Sequence, residues 1–506
     1  MTKLLNNGRL YYYVIFLAVH IGIVWLLPYV PTQDGPSHIY NLVILKDLLN
    51  GGKEWGDYFT AQLFAVPNLG FHLIAYPLLS VFPPLIVEKI FISCYMVLMG
   101  VSVPLLLHTF SRPVLPLAYF VIPVLFNFTL LMGFYSYAIT VPLFILAFAL
   151  GWEVRRRSIY CRFVCLNLAG FALFYFHLIP FIFFLISLVA IIIAEHAGYK
   201  RKILEILKLI VITLPSLLNL LFYLGQGTRN SFPDVSYLFS FSRFIELIVD
   251  LMFFSTVNYS AWQLLPASLF MFLIVLFGYT AVKNIYKKWS QSQDIPSSEK
   301  TLIYLAAALF AIYLLAPSYY GAGAYFNQRF PWVILLIILP LLRVPDTGLF
   351  KRFGSVMIAG VVTISVAFNT AILWDQNLKV KKFLGGLNAG IPKGAFVMTY
   401  KPMAVQWSRV DVLLHAASYY GLFRGCVDVG NYETTAHYFL VRFKKTLPTF
   451  PSPYQVAYDP ASIDWAMYPS VQYLLGWNIN NDDKKELVKF YRISWEDGLS
   501  SIWQRY

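Results

Sequence analysis

The sequence predicts a polytopic α-helical membrane protein of about 11 spans, N-in and C-out, with a small external α/β domain after the last span. Three observations predict it. Hydrophobic residues make up 58% of the 506 residues and charged residues only 13%, where soluble domains average about 45–50% and about 25%. Mean hydropathy is +0.63. Apolar stretches recur along the chain, and Lys and Arg are dense in alternate connections between them. A soluble oxidoreductase, kinase or DNA-binding factor could not hide so much apolar surface. The 43 Phe, 35 Tyr and 12 Trp exclude a disordered chain. The excess of 39 Lys+Arg over 25 Asp+Glu then records topology rather than nucleic-acid binding.

The elements follow in order. Lys3 and Arg9 precede the apolar run Tyr11–Val30, which ends in Leu27-Pro28-Tyr29 without a small-residue cleavage site, so it reads as a retained first helix. Further spans are predicted at 85–108, 114–133, 137–152, 163–178, 180–195, 206–225, 262–284, 302–317, 330–344 and 354–374. About 20 apolar residues cross a hydrocarbon core, and shorter spans need local thinning or irregular backbone. Phe71–Phe82 is short and stopped by Pro83-Pro84, which suits an interfacial or re-entrant piece. With a cytoplasmic N-terminus, the cytoplasmic segments hold 18 Lys and Arg and the opposite loops hold 5. The external face then receives loop 31–84, the tip Gly133–Tyr137, the tip around His177, segments 226–261 and 318–329, and everything after Trp374.

Residues 1–374 therefore read as the membrane domain and 375–506 as an external, periplasmic domain. The latter carries 15 Lys and Arg against 11 Asp and Glu. Gly394–Tyr400 and His437–Phe443 read as buried strands, and Asp411–Phe423 has helical apolar spacing. Phe490–Trp495 and Ser500–Tyr506 flank Glu496-Asp497-Gly498, a hairpin signal. The four cysteines, Cys94, Cys161, Cys165 and Cys426, show no CxxC spacing. Cys161 and Cys165 read as packing residues one turn apart.

Candidate chemistry concentrates in the first external loop. Pro36 suits a first helical turn, and Leu42, Leu45, Leu48 and Leu49 give an apolar face, so an amphipathic helix on the membrane surface is expected. Asp34, His38 and Asn41 share one side of its start. Asp34 is placed either to act as a general base or to cap the helix, since D-G-P-S is good capping sequence. His38 either positions a substrate or bonds to backbone at the interface. In the loop Pro317–Trp332, Tyr325, Gln328 and Arg329 stand at the mouth of a span. A guanidinium there either meets a lipid phosphate or snorkels to headgroups. Tyr135, Tyr137 and His177 either line a donor groove or are ordinary interfacial aromatics. Lys46 and Lys53 suit headgroup contacts, Glu88 suits the dipole of its helix, and Asp57 is a weaker alternative base. Walker A, GxSxG, HExxH and DxD motifs are absent from the sequence. An ATP-driven pump therefore lacks support, no cofactor is expected, and a divalent cation has no local ligand pattern.

A retained first helix, an external loop opening on Asp34 beside Pro36, a following helix and a C-terminal external domain together resemble the GT-C glycosyltransferase superfamily. That superfamily includes protein O-mannosyltransferases and the lipid A aminoarabinose transferase. Its members often carry an Asp-Glu or Glu-x-Asp pair in this loop, whereas here Asp34 is followed by Gly35. The resemblance implies a polyprenyl-phosphate-linked sugar donor and inverting transfer to a lipid, glycan or protein acceptor. It places the reaction at the periplasmic side of a bacterial inner membrane, in the cell envelope. Asp34 would be the base assisted by His38, and Arg329 would meet the donor phosphate. A transporter or flippase of a lipid-linked saccharide, or a non-catalytic assembly protein with the same membrane body, are the alternatives. A transporter would more often show repeated halves and broken mid-membrane helices, which this sequence does not display.

Overall fold

The computed structural model describes residues 8–506 except 64–66, 113, 226–239, 254–255, 321–322, 346, 402–407 and 436–438. Seven described helices are long and apolar enough to cross a membrane. They are Pro84–Thr109, Tyr135–Val154, Ile159–Phe176, Leu178–Glu195, Ala261–Ser290, Ser297–Leu315 and Arg352–Asn388. A pair bent by 72°, Tyr199–Ile212 with Leu214–Gly225, raises the count to eight if it is one span. Leu10–Leu26, Ala118–Leu131 and Asn327–Leu341 are shorter apolar helices. The predicted span at 114–133 is broken because Pro116 and Pro123 interrupt it, leaving short turns at Val114–Leu117, Ala118–Val124 and Phe128–Leu131.

Among these seven helices, Tyr135–Val154 is the most buried. Its apolar window is 78% buried, against 28% for Ile159–Phe176. Small residues permit the crowding: a Cβ on Gly151 would lie 2.8 Å from Leu188 Cδ2. Helix Phe241–Met252 is built the other way round from a soluble one. Phe241, Phe244, Ile248 and Val249 point outward while Arg243 and Asp250 are buried. Arg243 Nη2 donates to the Ala316 carbonyl at 2.6 Å, and Asp250 pairs with Arg409 at 2.7 Å. An apolar exterior over a paired polar interior suits a lipid-facing helix.

Strand β1 (Phe59–Ala61) belongs to the first long loop. Later come β2 (Phe396–Tyr400), β3 (Val427–Asp428), β4 (Val441–Phe443), β5 (Tyr473–Trp477), β6 (Tyr491–Asp497) and β7 (Ser500–Arg505). The main sheet runs β3-β2-β5-β7-β6. Its first two pairings are parallel and its last two antiparallel. The β6–β7 hairpin forms at the predicted Asp-Gly turn, where Gly498 takes φ +58°. The strand expected at His437–Phe443 is confined to β4, with 436–438 outside the described residues. It leaves the main sheet and pairs antiparallel with β1, Phe59 opposite Phe443. The helix expected over Asp411–Phe423 is Ala417–Arg424 alone. The last long helix runs to Phe383, past the expected boundary at 374.

The helix of the first loop, Gly35–Leu49, corrects a second expectation. It does not lie on a membrane surface: Gly35 to Leu42, Ile44 and Leu45 are buried. The C-terminal domain covers the side assigned to solvent. Tyr40 Oη donates to the Cys426 carbonyl at 2.9 Å, and Ser37 Oγ lies 3.3 Å from Ser418 Oγ. Asn41 and Asn431 exchange amide hydrogen bonds of 3.1 and 2.8 Å. Spacing alone showed one apolar face, but the polar face is buried too because its partners are polar. Lys46 likewise donates to the Leu79 carbonyl at 2.9 Å instead of reaching headgroups.

Candidate active site

The chain leaves the first helix at Leu26 and is clamped to the 131–133 turn. Gln33 and Asp34 donate their backbone N–H groups to the carbonyls of Leu131 and Met132 at 3.0 and 3.1 Å. Gly133 makes this approach feasible. Its φ is +89°, and a Cβ there would lie 2.9 Å from Asp34 Cβ and from the Gly35 nitrogen. Gly35 is equally constrained, since its Cβ would fall 2.1 Å from Thr32 Oγ1 and 2.6 Å from Glu88 Oε1. Any side chain at position 35 would have to displace the ends of Thr32, Tyr135 and Glu88.

Asp34 stands at the start of Gly35–Leu49, yet its side chain makes no capping bond. The carboxylate is turned inward. Oδ2 accepts from Tyr432 Oη at 3.1 Å, Oδ1 accepts from Gln33 Nε2 at 3.3 Å, and His415 Nε2 lies 3.6 Å from Oδ1. Only 3% of the residue is exposed. Burial pushes its pKa up to about 7, against the pull of His38, Tyr432 and Gln33.

His38 is held at both ring nitrogens. Nε2 lies 2.7 Å from the Gly133 carbonyl and Nδ1 2.8 Å from Glu433 Oε1. Both neighbours are acceptors, which suits the doubly protonated ring. Burial opposes that charge, but Glu433, Asp34 and the Gly133 carbonyl together raise its pKa above the ordinary value. The two acceptors fix the ring beside Asp34 and favour its charged form. His415 and His72 are pushed by burial down to about 3 and about 4, so both rings stay neutral.

Asp34 and His38 open onto a shared cleft. Tyr135, Tyr137, His177, Tyr325 and Arg329 line it as well. Seven of the residues singled out in the sequence therefore meet in one place, drawn from four separate segments. Two do not. Asn41 serves the bridge to Asn431, and Gln328, though beside Arg329, is not among the lining residues. Tyr135 Oη donates to Glu88, which is buried behind the cleft rather than complementing its helix dipole. Tyr137 Oη donates to the Arg329 carbonyl at 2.6 Å and so positions that turn.

Arg329 crosses the aromatic wall, with its guanidinium carbon 4.6 Å from the Phe134 ring centre and 5.3 Å from that of Tyr137. Nη2 donates to the Ala324 carbonyl at 3.2 Å and Nη1 lies 3.1 Å from His177 Nε2. His177 Nδ1 accepts the Ile179 backbone N–H at 3.2 Å. A neutral imidazole has one acceptor nitrogen, so the ring cannot accept from Ile179 and Arg329 at once. An anionic oxygen entering beside the pair would accept from both groups and remove the conflict.

Sequence reasoning missed the wall supplied by the C-terminal domain. Tyr432, Phe439 and Tyr454 line the cleft, while His415 and Glu433 stand behind Asp34 and His38. His72 of the short helix Gly70–Leu78 was missed too. In comparisons with known proteins, no family model matches the chain and no curated protein sequence matches it.

Proposed function

We propose that the protein is a membrane glycosyltransferase moving a sugar from a polyprenyl-phosphate donor to an acceptor nucleophile. One observation carries this reading: the inward-turned Asp34 carboxylate and the Arg329–His177 donor pair line the same cleft. A base with a pKa near 7 is matched to deprotonating a hydroxyl or amine at neutral pH. In the proposed step, Asp34 takes the acceptor's proton as its oxygen or nitrogen attacks the anomeric carbon. The bond to the phosphate oxygen breaks on the opposite face, and the phosphate leaves with the electron pair. Arg329 and His177 receive that developing charge, with no metal required by the scheme. Glu433 orients the His38 ring beside Asp34 and favours its charged form, and neither joins the proton transfer.

The proposal extends to topology. The seven long helices, the bent pair and the three shorter apolar helices would make 11 spans, with the cleft and the C-terminal domain on the periplasmic side of a bacterial inner membrane. A cysteine placed at Ser292 should then resist a membrane-impermeant label in intact cells, while one at Ser452 should react. For the activity, purified protein is incubated with a panel of radiolabelled polyprenyl-phosphate sugars and envelope lipid, glycan and peptide acceptors. Label appearing in an acceptor supports the reading. Donor binding without transfer across that panel would favour a non-catalytic role, and movement of intact donor across vesicles would favour a flippase.

A further inference from the structure

Helix Tyr135–Val154 starts at the cleft and ends at Arg155. Its 20 residues span about 30 Å, the thickness of a hydrocarbon core. At the far end it closes a second, open-sided groove with helices Ile159–Phe176, Leu178–Glu195 and Tyr199–Ile212. The floor is apolar, built by Leu166, Leu188, Ile192 and Leu209, and Gly151 keeps it open. The mouth carries Arg155, Arg162, Glu195, His196 and Glu205.

The charges around this mouth do not balance. Residues 153–208 hold eight Lys and Arg against three Glu. Glu195 takes Arg155 and Arg156 at 2.8 and 3.1 Å, and Glu205 takes Lys208 at 2.7 Å. Arg157, Arg162, Lys200, Arg201 and Lys202 make no ion pair among the described residues, and Glu153 is the one carboxylate left over. Beside the groove, helix Tyr199–Ile212 exposes Ile203, Leu204, Leu207, Ile210 and Val211. It begins with Lys200, Arg201 and Lys202 and turns by 72° into the next helix. A basic first turn sets the start of this helix at the headgroup level, with its exposed apolar face turned toward lipid.

We propose that this groove is a binding site for an anionic phospholipid, with the phosphate at Arg162 and an acyl chain on the Leu166–Leu188 floor. An apolar floor beside a surplus of positive charge, carried by Arg157, Lys200, Arg201 and Lys202 around a mouth whose own arginines face Glu195 and Glu205, fits both parts of one amphipathic anion. A zwitterionic lipid would fill the floor but would leave the charge excess unanswered. The site lies at the opposite end of the helix from the cleft, so it stands or falls independently of the transfer reaction.

The test uses the delipidated full chain in detergent, titrated with phosphatidylglycerol and with phosphatidylcholine of matched chains and read by native mass spectrometry. The expected preference is at least about tenfold for phosphatidylglycerol. Arg162→Gln and Lys200→Gln should each erode it by about fivefold, the effect of one basic side chain near an anionic headgroup. Leu188→Trp should fill the floor and weaken both lipids. If that variant fails to fold, the two charge variants decide, since Arg162 is half-buried and Lys200 exposed. Equal affinity for the two lipids would overturn the proposal, as would an unchanged preference in both charge variants. Displacement of the lipid by an equal concentration of inorganic phosphate would overturn it in favour of a free-phosphate site.

Discussion

The cleft has two walls of different origin, and they differ in how they announce themselves. The membrane body supplies Asp34, His38, Tyr135, Tyr137, His177 and Arg329; the C-terminal domain supplies Tyr432, Phe439 and Tyr454, backed by His415 and Glu433. On the first wall the charged and histidine residues lie in short polar turns set between long apolar runs, where burial demands a partner or a purpose. On the second wall the same residue types sit in an ordinary mixed domain, where charge carries little information. A polar residue is conspicuous in proportion to how apolar its neighbours in sequence are. The two walls also divide the work: the first presents the groups proposed to meet substrate, and the second fixes their orientation and charge.

The largest expected effect bears on the first wall. Asp34→Asn preserves size and can still receive the Tyr432 hydrogen bond, but it cannot take a proton. Transfer should fall by roughly 10²–10⁴-fold while melting temperature and donor affinity stay close to wild type. Next comes Arg329→Ala, which should weaken donor binding or transfer by roughly 10²–10³-fold, by analogy with losing one donor to a developing oxyanion. Arg329→Lys should recover only part, because a lysine lacks the planar fork. Unchanged donor handling in Arg329→Ala would move the phosphate elsewhere.

The second wall should respond in stability first. Glu433→Gln removes the negative charge that favours the charged form of His38, and its loss should destabilise the protein by about 1–3 kcal/mol, read from chemical or thermal unfolding. The His38 resonances should then titrate at lower pH than in the wild type. The smallest effect is expected at the weld between the walls. Asn41→Ala leaves the Asn431 amide without its reciprocal partner. It should cost about 1–2 kcal/mol while transfer per folded molecule is retained. A large turnover defect in a folded Asn41→Ala would return that residue to the cleft's chemistry and blur the distinction between the walls.

The helical membrane body was legible because hydropathy reports it directly, and the Asp-Gly hairpin because its turn demands a positive φ. The burial of Gly35–Leu49 was not. Its Leu spacing marks one packed face, whereas the other face is packed through Ser37, Tyr40 and Asn41, whose partners lie far along the chain. Periodicity registers apolar burial and passes over polar burial. Asp34 showed the same limit in reverse. Local sequence made a cap and a base equally plausible, and the choice lies with Tyr432, far along the chain, which with Gln33 takes the carboxylate that makes no capping bond.

The pH dependence of transfer at saturating donor tests the central claim most directly, namely that Asp34 is a buried base. Burial pushes its pKa up from the ordinary 3.8 to about 7, and a base works only when deprotonated. The rate should therefore climb tenfold per pH unit at acid pH and level off above about 7, and the residual rate of Asp34→Asn should lack that limb. A wild-type rate that stays flat from about pH 5 to about pH 8, or an Asp34→Asn protein that keeps the same limb, would contradict the account.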